Sequence, residues 1–242
     1  KKIKAPVYGS KLTIALAKEH LKELPAPHQV KFFEVTSNSR MNFNSTHVTF
    51  FHTTHSIPDS LGIVFHTSEG AIVHTGEFKF DQSAKGKFKP DLAKMAMLGE
   101  EGVFMLLSES VEADRPGYTT SEAVVAEELQ KTFHSAPGRI IVALYASNFI
   151  RIQQVFTQAA DSRRKVAVVG KSLEKIVDIG LNLGYLAVDE ETIIPVNEIS
   201  KYHDEQIIIM ATGNKGEPLD ALDKIVRKHH RDVKIKNTDT VL

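Results

Sequence analysis

The spacing of apolar residues changes once along the chain, and this change divides it into two parts. In the first part, short apolar runs are separated by turn residues, a pattern typical of strands joined by tight turns. From residue 119 onward, β-branched apolar runs alternate with segments of helical period, which predicts a parallel sheet covered on both faces. Proline and glycine in VEADRPGYTT interrupt both patterns. We therefore predict a domain boundary near Tyr118.

The first part predicts several strands and two helices. Residues 11–24 have helical spacing, and a shorter helix is predicted to end at Gly102. The turn TSEG separates two apolar runs, and its glycine, Gly70, tolerates the positive φ of a tight turn, so the two runs are predicted to form a hairpin. The predicted strands are, in chain order, PVYG, VKFFEV, HVTFFH, GIVFHT, AIVHTG and VFMLLSES.

The second part predicts an α/β domain with a doubly wound parallel sheet. Thr119 and Glu122 have the spacing of a capping box in front of a segment of helical period. Three more helices are predicted, at residues 149–160, 173–183 and 219–229. The strands between them are RIIVALYASN, KVAVVGKS and QIIIMATGNKGEP.

Polar residues follow each of these three strands. The first is followed by Ser147 and Asn148, the second by Lys171 and Ser172, and the third by residues 212–217. Ligands of doubly wound sheets bind beyond the carboxyl ends of the strands, where the next helix offers free N–H groups and a positive dipole end. Three such ends predict a phosphate or polyanion site, although each polar residue alone could simply be a helix N-cap.

Four histidines and an acidic cluster lie close together in the first part. His52 and His55 follow one predicted strand, and Glu77 and Asp81 follow the next hairpin. A di-metal hydrolase needs neutral imidazoles and a carboxylate that bridges two ions. Histidines in strands and turns more often only make hydrogen bonds, so the spacing alone leaves both interpretations open. His66 and His74 lie in the two hairpin arms, and we predict that they pair with each other instead of binding metal.

The composition limits which partners and which metal ligands the chain can use. Thirty basic and thirty acidic residues cancel, so contact with nucleic acid would need a local patch. The absence of cysteine excludes disulfides and thiolate zinc sites and leaves His, Asp and Glu as strong metal ligands. No run approaches the length of a membrane span and no leader appears, so we expect a cytoplasmic protein. The start at Lys1, directly before strand-like sequence, suggests a segment of a longer protein.

Several motifs together resemble the metallo-β-lactamase/β-CASP ribonucleases of the ribonuclease J family. They are, in order, HTTHSIPDSLGIVFHT, IVHTGEFKFD, LLSES, YASNFIRIQQ, GKSLE and ATGNKGEP. YASNFIRIQQV and TGEFKFD are most similar to the type-two bacterial branch of that family. The resemblance implies a truncated metallo-β-lactamase αββα domain over residues 1–118 and a β-CASP domain over residues 119–242.

The same resemblance implies roles for three residues of the first part. His55 matches a metal-binding histidine, Glu77 the carboxylate that bridges two zinc ions, and Glu109 the catalytic aspartate of the first β-CASP motif. Both glutamates replace aspartates, which moves each carboxylate by more than ~1 Å, beyond the roughly 0.5 Å tolerance of such sites. The HxHxDH motif and the later histidines of the family are not in this chain. Since zinc takes about four ligands, we expect the chain by itself to bind no zinc and to be inactive.

The resemblance also implies an RNA substrate. In the family, zinc-activated water attacks an RNA phosphodiester, either internally or from a 5′-monophosphorylated end, in RNA decay and rRNA maturation. The loop with Ser147 and Asn148 lines the pocket for that 5′ phosphate. Lys171, followed by Ser172, stands where many members have arginine, so the charge is kept but the bidentate fork is lost.

Two other functions remain open at this point. One is a non-catalytic RNA-binding or assembly subunit that partners the active type-one ribonuclease J paralogue, with homo-oligomers also left open. The other is a β-CASP nuclease acting on messenger 3′ ends or DNA hairpins, but HSIPDS and FKFD favour the bacterial RNA branch.

Overall fold

The computed structural model describes residues 5–22, 30–213, 218–227, 230 and 233–242. The chain divides into two compact units, Lys1–Ala123 and Val124–Leu242; the sequence predicts its boundary near Tyr118. Among the described residues, no helix has both the length and the hydropathy that a membrane crossing requires.

The first unit combines a five-stranded mixed sheet with a separate pair of parallel strands and two helices. In chain order its elements are β1 (Val7–Gly9), α1 (Lys11–Lys22), β2 (Phe32–Glu34), β3 (Arg40–Phe43), β4 (Thr46–His52), β5 (Leu61–Thr67), β6 (Gly70–His74), α2 (Leu92–Glu101) and β7 (Val103–Leu107). The large sheet has the order β3–β4–β5–β6–β7, and β1 pairs with β2. The predicted strands are all present, and β3 is an additional strand that the polar sequence RMNF did not reveal.

The direction of the strands places three carboxyl ends at one edge of this sheet. β4 is antiparallel to β5, and β5 is antiparallel to β6. β6 and β7 are parallel. β4, β6 and β7 therefore all run the same way, and the residues that follow them emerge on the same side.

The predicted hairpin forms, but its histidines pair differently from the prediction. Thr67 pairs with Gly70, whose φ is +126°, so the turn sets a register in which His66 faces Ala71 and His74 faces Ile63. The prediction that His66 and His74 pair across the hairpin is wrong, because the short turn places them three ladder positions apart.

The last strand of this sheet is open to solvent. β7 lies at one edge of the sheet and pairs with β6. Each of its five apolar side chains is between 40% and 60% exposed. An edge strand with this much exposed apolar surface is unusual in a folded domain, since such edges tend to recruit other chains.

The second unit is an α/β domain with a five-stranded sheet. Its elements, starting with the helix that crosses the division, are α3 (Glu122–Ser135), β8 (Ile140–Ala143), α4 (Phe149–Asp161), β9 (Lys165–Val169), α5 (Lys171–Asn182), β10 (Ile193–Ile194), β11 (Ile207–Ala211), α6 (Pro218–Val226) and β12 (Thr240–Val241). Short 3-10 helices lie at Glu190–Thr192, Val196–Lys201 and Asp204–Gln206. The predicted α/β class is confirmed, and each of the three predicted strands is followed by its predicted helix.

The sheet of the second unit is parallel throughout, in the order β10–β9–β11–β8–β12. All five residues of the central strand β11 are buried. Because consecutive side chains point to opposite faces, both faces of this strand are covered. β10 and β12 are two-residue strands and are too short to give a periodic sequence signal. The predicted parallel sheet is therefore confirmed, with two additional edge strands.

A buried ion pair closes the β12 edge. The guanidinium of Arg139, at the start of β8, donates two hydrogen bonds to the Asp239 carboxylate, at 2.6 and 2.8 Å. The same side chain donates to the carbonyl oxygen of Lys234 at 2.7 Å. Such a bidentate pair fixes geometry as well as adding energy, and it holds the C-terminal segment against β8.

Candidate functional site

Two loops of the first unit bring His55 and Glu77 together. The hydroxyl of Thr53 donates to the carbonyl oxygen of Glu77 at 3.2 Å. The N–H of Lys79 donates to the carbonyl oxygen of Thr54 at 2.7 Å. With the loop after β4 joined in this way to the loop after β6, Nδ1 of His55 lies 3.4 Å from Oε2 of Glu77.

Glu109 lies beside this pair at the end of β7. Its N–H donates to the hydroxyl of Thr75 at 3.1 Å. Its carboxylate accepts hydrogen bonds from the N–H of Phe78 at 3.4 Å and from that of Val111 at 3.3 Å. The structure thus brings all three predicted residues of the first unit to the edge where β4, β6 and β7 end. The carboxylate of Glu109 is engaged there with backbone donors.

The donors at this edge do not amount to a zinc site. Glu77 is 70% exposed and His55 is 33% exposed, and Nδ1 of His55 also lies 3.2 Å from the hydroxyl of Ser56. Across the described ranges, no group of three or more potential ligands is positioned to share a metal ion. Zinc is held by about four ligands in structural sites and by three plus water in catalytic ones. The residues present therefore do not fit a complete zinc centre.

Asp81, the other acidic candidate, has a structural role as an acceptor of backbone hydrogen bonds. It is 3% exposed and accepts hydrogen bonds from the N–H of Ser83 at 2.9 Å and of Glu122 at 2.7 Å. Burial alone would raise the pKa of Asp81, but the hydrogen bonds from Ser83 and Glu122 and the nearby Lys79 ammonium outweigh it and lower the pKa. Asp81 therefore receives the first N–H of α3 and is not directed at His55.

This contact also corrects the predicted start of α3. A capping box would make Thr119 the N-cap, but the helix begins at Glu122, whose N–H binds the Asp81 carboxylate. Asp81 lies 41 positions earlier in the chain, so local sequence gives no indication of it. The same applies to Asp59 in the HSIPDS motif, which accepts the N–H of Leu12 in the first turn of α1 at 3.0 Å.

In the second unit, three strand ends lie side by side. β11 lies between β8 and β9. The N–H of Leu144, after β8, donates to the carbonyl oxygen of Ala211 at 3.1 Å. The N–H of Thr212, after β11, donates to the carbonyl oxygen of Val169 at 3.2 Å. β8 is followed by Ser147 and Asn148, and β9 is followed by Lys171 and Ser172. We call these three strand ends, with the helix N-termini that follow β8 and β9, the strand-end site.

The two helix N-termini at the strand-end site differ. Oδ1 of Asn148 accepts the N–H of Arg151 at 3.0 Å and thereby caps α4. α5 begins after Gly170, which provides no side-chain cap. Its first N–H groups therefore have no side-chain acceptor within the described residues. Lys171 is exposed and Ser172 is half-buried at this end.

Thr212 and Gly170 are in close contact at the centre of the strand-end site. Thr212 is 4% exposed, and its Oγ1 has no hydrogen-bond partner in the described part of the chain. Gly170 has a φ of +116°. The sequence pointed to Thr212 only as part of residues 212–217, of which 214–217 lie outside the described residues. Tyr145, exposed in the same region, was not predicted at all.

Comparisons with known proteins agree with this architecture. Residues 137–242 match the family described as "Ribonuclease J, beta-CASP domain". The chain is 50% identical over 239 residues to "Ribonuclease J 2" of Staphylococcus saprophyticus and 48% identical over 237 residues to "Ribonuclease J 2" of Staphylococcus aureus. It aligns over 99% and 98% of its own length in these two cases, and it spans 43% and 42% of the relatives' length.

A solved structure has a similar fold. A protein of unknown function from Enterococcus faecalis superimposes with a TM-score of 0.65 at 13% sequence identity. The superposition covers 86% of this chain and 53% of that protein. At this identity the likeness concerns the fold alone.

Proposed function

The chain belongs to the ribonuclease J family and contains its β-CASP domain, and from this premise we propose that its second unit binds the 5′ phosphate of RNA. The observation that carries the proposal is the uncapped N-terminus of α5 at the strand-end site. Free N–H groups and the positive end of the helix dipole favour an anion there. Lys171 adds a formal positive charge in the first turn of the same helix.

We propose different roles for the four predicted phosphate ligands. Lys171 and Ser172 lie in the first turn of α5 and are the direct ligands in this proposal. Asn148 already caps α4 through Oδ1, so its part is to hold the loop after β8 and offer its amide N–H groups. Ser147 is exposed beside it and adds a hydroxyl donor.

For the first unit, we propose that it corresponds to the metallo-β-lactamase domain of the family, over residues 1–118. The convergence of His55, Glu77 and Glu109 at one sheet edge supports this assignment. In the longer proteins of the family this edge would take part in a metal-dependent ribonuclease site, used in RNA decay and rRNA maturation. The donors described here are too few to hold zinc, so no catalytic step is assigned to them.

A second function has support from the same edge. The Glu109 carboxylate is engaged with two backbone N–H groups, and Glu77 stands where the family resemblance implies a bridging aspartate. These features favour a subunit that binds RNA and assembles with the type-one ribonuclease J paralogue while the paralogue performs the cleavage. Both functions need the same 5′-phosphate site.

A titration tests the phosphate proposal directly. Matched single-stranded RNAs with a 5′ phosphate or a 5′ hydroxyl are bound to the 242-residue chain, and fluorescence anisotropy gives the two dissociation constants at one salt concentration. We expect tighter binding of the phosphorylated RNA. Lys171→Gln should reduce this preference, whereas Lys165→Gln, at the opposite end of β9, should preserve it. Equal affinities for the two RNAs would refute the proposal.

A further inference from the structure

Tyr145 is an exposed aromatic residue at the carboxyl end of β8. Its side chain is 57% exposed. The other described phenylalanines and tyrosines of the second unit are buried or half-buried: Phe133, Phe149, Phe156, Tyr185 and Tyr202. Leaving a large aromatic ring in water forgoes the free energy that its burial would provide. This exposed ring lies where the unit has its candidate ligand site.

The turn that carries Tyr145 is fixed to the strand-end site by its backbone. The carbonyl oxygen of Tyr145 accepts the N–H of Asn148, the N-cap of α4, at 3.0 Å. The N–H of the preceding residue, Leu144, donates to the carbonyl oxygen of Ala211, the last residue of β11, at 3.1 Å. Leu144 is itself 4% exposed. The backbone at Tyr145 is therefore anchored on both sides, and its ring is presented from a fixed turn.

Thr212 gives independent support for a ligand at this point. A buried hydroxyl without a hydrogen-bond partner is uncommon in folded proteins. The Thr212 side chain lies against the N-cap of α5, because its Cγ2 is 3.2 Å from where a Cβ on Gly170 would be. A phosphate oxygen at the N-terminus of α5 would supply the acceptor that Oγ1 of Thr212 lacks.

The spacing between strands gives the distance from Tyr145 to the N-terminus of α5. β8 and β9 lie on either side of β11, and adjacent strands are about 4.8 Å apart. The end of β8 is thus about 10 Å from the N-terminus of α5. At the ~3.4 Å rise per nucleotide of a stacked strand, about three nucleotides span this distance.

We propose that Tyr145 stacks on a nucleobase within the first three nucleotides of RNA whose 5′ phosphate is held at the N-terminus of α5. This inference rests on the proposed 5′-phosphate function and adds recognition of the base to it. Stacking on an aromatic ring accepts every base, because every base has a π face. The ligand class is therefore single-stranded RNA of any sequence at its 5′ end.

The test uses 5′-phosphorylated single-stranded RNAs that carry 2-aminopurine at the first, second or third nucleotide. Stacking on Tyr145 should quench the fluorescence of one of these probes on binding to the 242-residue chain. Tyr145→Phe keeps the ring and should keep the quenching. Tyr145→Leu should abolish it and weaken binding about 5- to 150-fold, the range that corresponds to ~1–3 kcal/mol per stacked base. Quenching that is unchanged in Tyr145→Leu would overturn the proposal.

An abasic RNA provides a control that does not depend on the folding of a variant. RNA lacking the base at the quenched position should bind the unsubstituted chain as weakly as intact RNA binds Tyr145→Leu, and the two losses should not add. Additive losses would contradict a direct contact. The ratio of affinities for 5′-phosphate and 5′-hydroxyl RNA should be the same in Tyr145→Leu as in the unsubstituted chain. A ratio of one in both proteins, with quenching that is present in the unsubstituted chain and lost in Tyr145→Leu, would refute the phosphate proposal and leave stacking in place.

Discussion

Gly170 and Thr212 approach each other so closely that a Cβ on Gly170 would lie 2.7 Å from the carbonyl oxygen of Thr212. Gly170 also has a φ of +116°, a backbone conformation that side chains with a Cβ rarely adopt. The ends of β9 and β11 can therefore meet at this distance only with glycine at position 170. Gly170 is the N-cap of α5, so this contact lies at the N-terminus of that helix.

Gly170→Ala should destabilise the chain and displace the start of α5. The strained φ and the clash with a backbone oxygen, which cannot move aside like a flexible side chain, should lower the free energy of unfolding by about 1–3 kcal/mol. Urea denaturation followed by circular dichroism measures this change. Gly99→Ala is the matched control, since nothing lies within 4 Å of a Cβ there and a helical Gly→Ala exchange should gain about 0.5–1 kcal/mol. Equal effects of the two exchanges would contradict this account.

Thr212→Val should have opposite effects on stability and on binding. Valine has nearly the shape of threonine and removes a buried hydroxyl that has no partner in the described residues, so the free chain should become more stable by about 1–2 kcal/mol. Under the proposed 5′-phosphate function, the same change removes a hydroxyl donor to the phosphate and should reduce the preference for 5′-phosphorylated RNA. Thr212→Ser, which keeps the hydroxyl, should retain the preference. A destabilised Thr212→Val variant would indicate that the hydroxyl has a structural partner.

The purified 242-residue chain should bind no stoichiometric zinc and should not degrade 5′-monophosphorylated RNA. His55 and Glu77 supply two donors, and Glu109 is engaged with backbone N–H groups, while zinc needs about four ligands. Metal analysis by mass spectrometry and a gel-based nuclease assay, with and without a chelator, check both points. Two zinc ions per chain together with chelator-sensitive cleavage would refute this expectation.

Local sequence was sufficient for the three longer strands of the second unit, because apolar runs in a parallel sheet are buried on both faces. β8, β9 and β11 each have such a run, and the polar residues that follow them mark the strand ends. The same reasoning gave no indication of how exposed β7 is. VFMLL is apolar throughout, a pattern consistent with a buried strand, yet its side chains are 40–60% exposed. The apolar pattern of a strand does not show what packs against it.

Contacts between distant residues account for the other differences. Asp81 binds the N–H of Glu122, and Asp59 binds that of Leu12, and both contacts exist only after the chain has folded. The hairpin histidines show the same limit at short range, because one turn of fixed length decides which residues face each other. The positions of His55 and Glu77 could be identified from motifs, but their exposure and the 3.4 Å distance between them required the structure.

Asp81→Asn should lower the stability of the fold at neutral pH and make that stability less dependent on pH in the acidic range. The folded chain lowers the pKa of Asp81, so this carboxylate contributes stability that is present above its unfolded pKa, near 4. That contribution is lost as pH falls through the lower folded pKa. We expect a loss of about 1–3 kcal/mol at pH 7 and a smaller further loss toward pH 3 than in the unsubstituted chain. Asp114→Asn, at an exposed position, should change neither quantity in chemical denaturation at the two pH values.

From the stacked histidines of β4 and β5 we predict that the stability of the fold depends on pH between pH 5 and pH 7. The rings of His47 and His66 lie 4.1 Å apart with an angle of 8° between their planes, and the hydroxyl of Thr49 lies 2.8 Å from Nε2 of His66. Burial and the neighbouring His47, partly offset by Glu101 and reinforced by Arg40, lower the pKa of His66. Below about pH 6.5 the unfolded chain should therefore take up more protons at this residue than the folded chain, and stability should fall as the pH decreases.

Nuclear magnetic resonance titration of the His66 ring measures this effect directly. Its midpoint should lie below about 6.5, and His47→Gln should raise it, because the exchange removes a neighbour that lowers the pKa of His66. His134→Gln is the matched control, since His134 is exposed on α3 and is not among the groups that shift His66. A midpoint that does not respond to His47→Gln would mean that burial and Arg40 lower the pKa of His66 without a contribution from His47. The stacked ring of His47 would then contribute packing and no electrostatic repulsion.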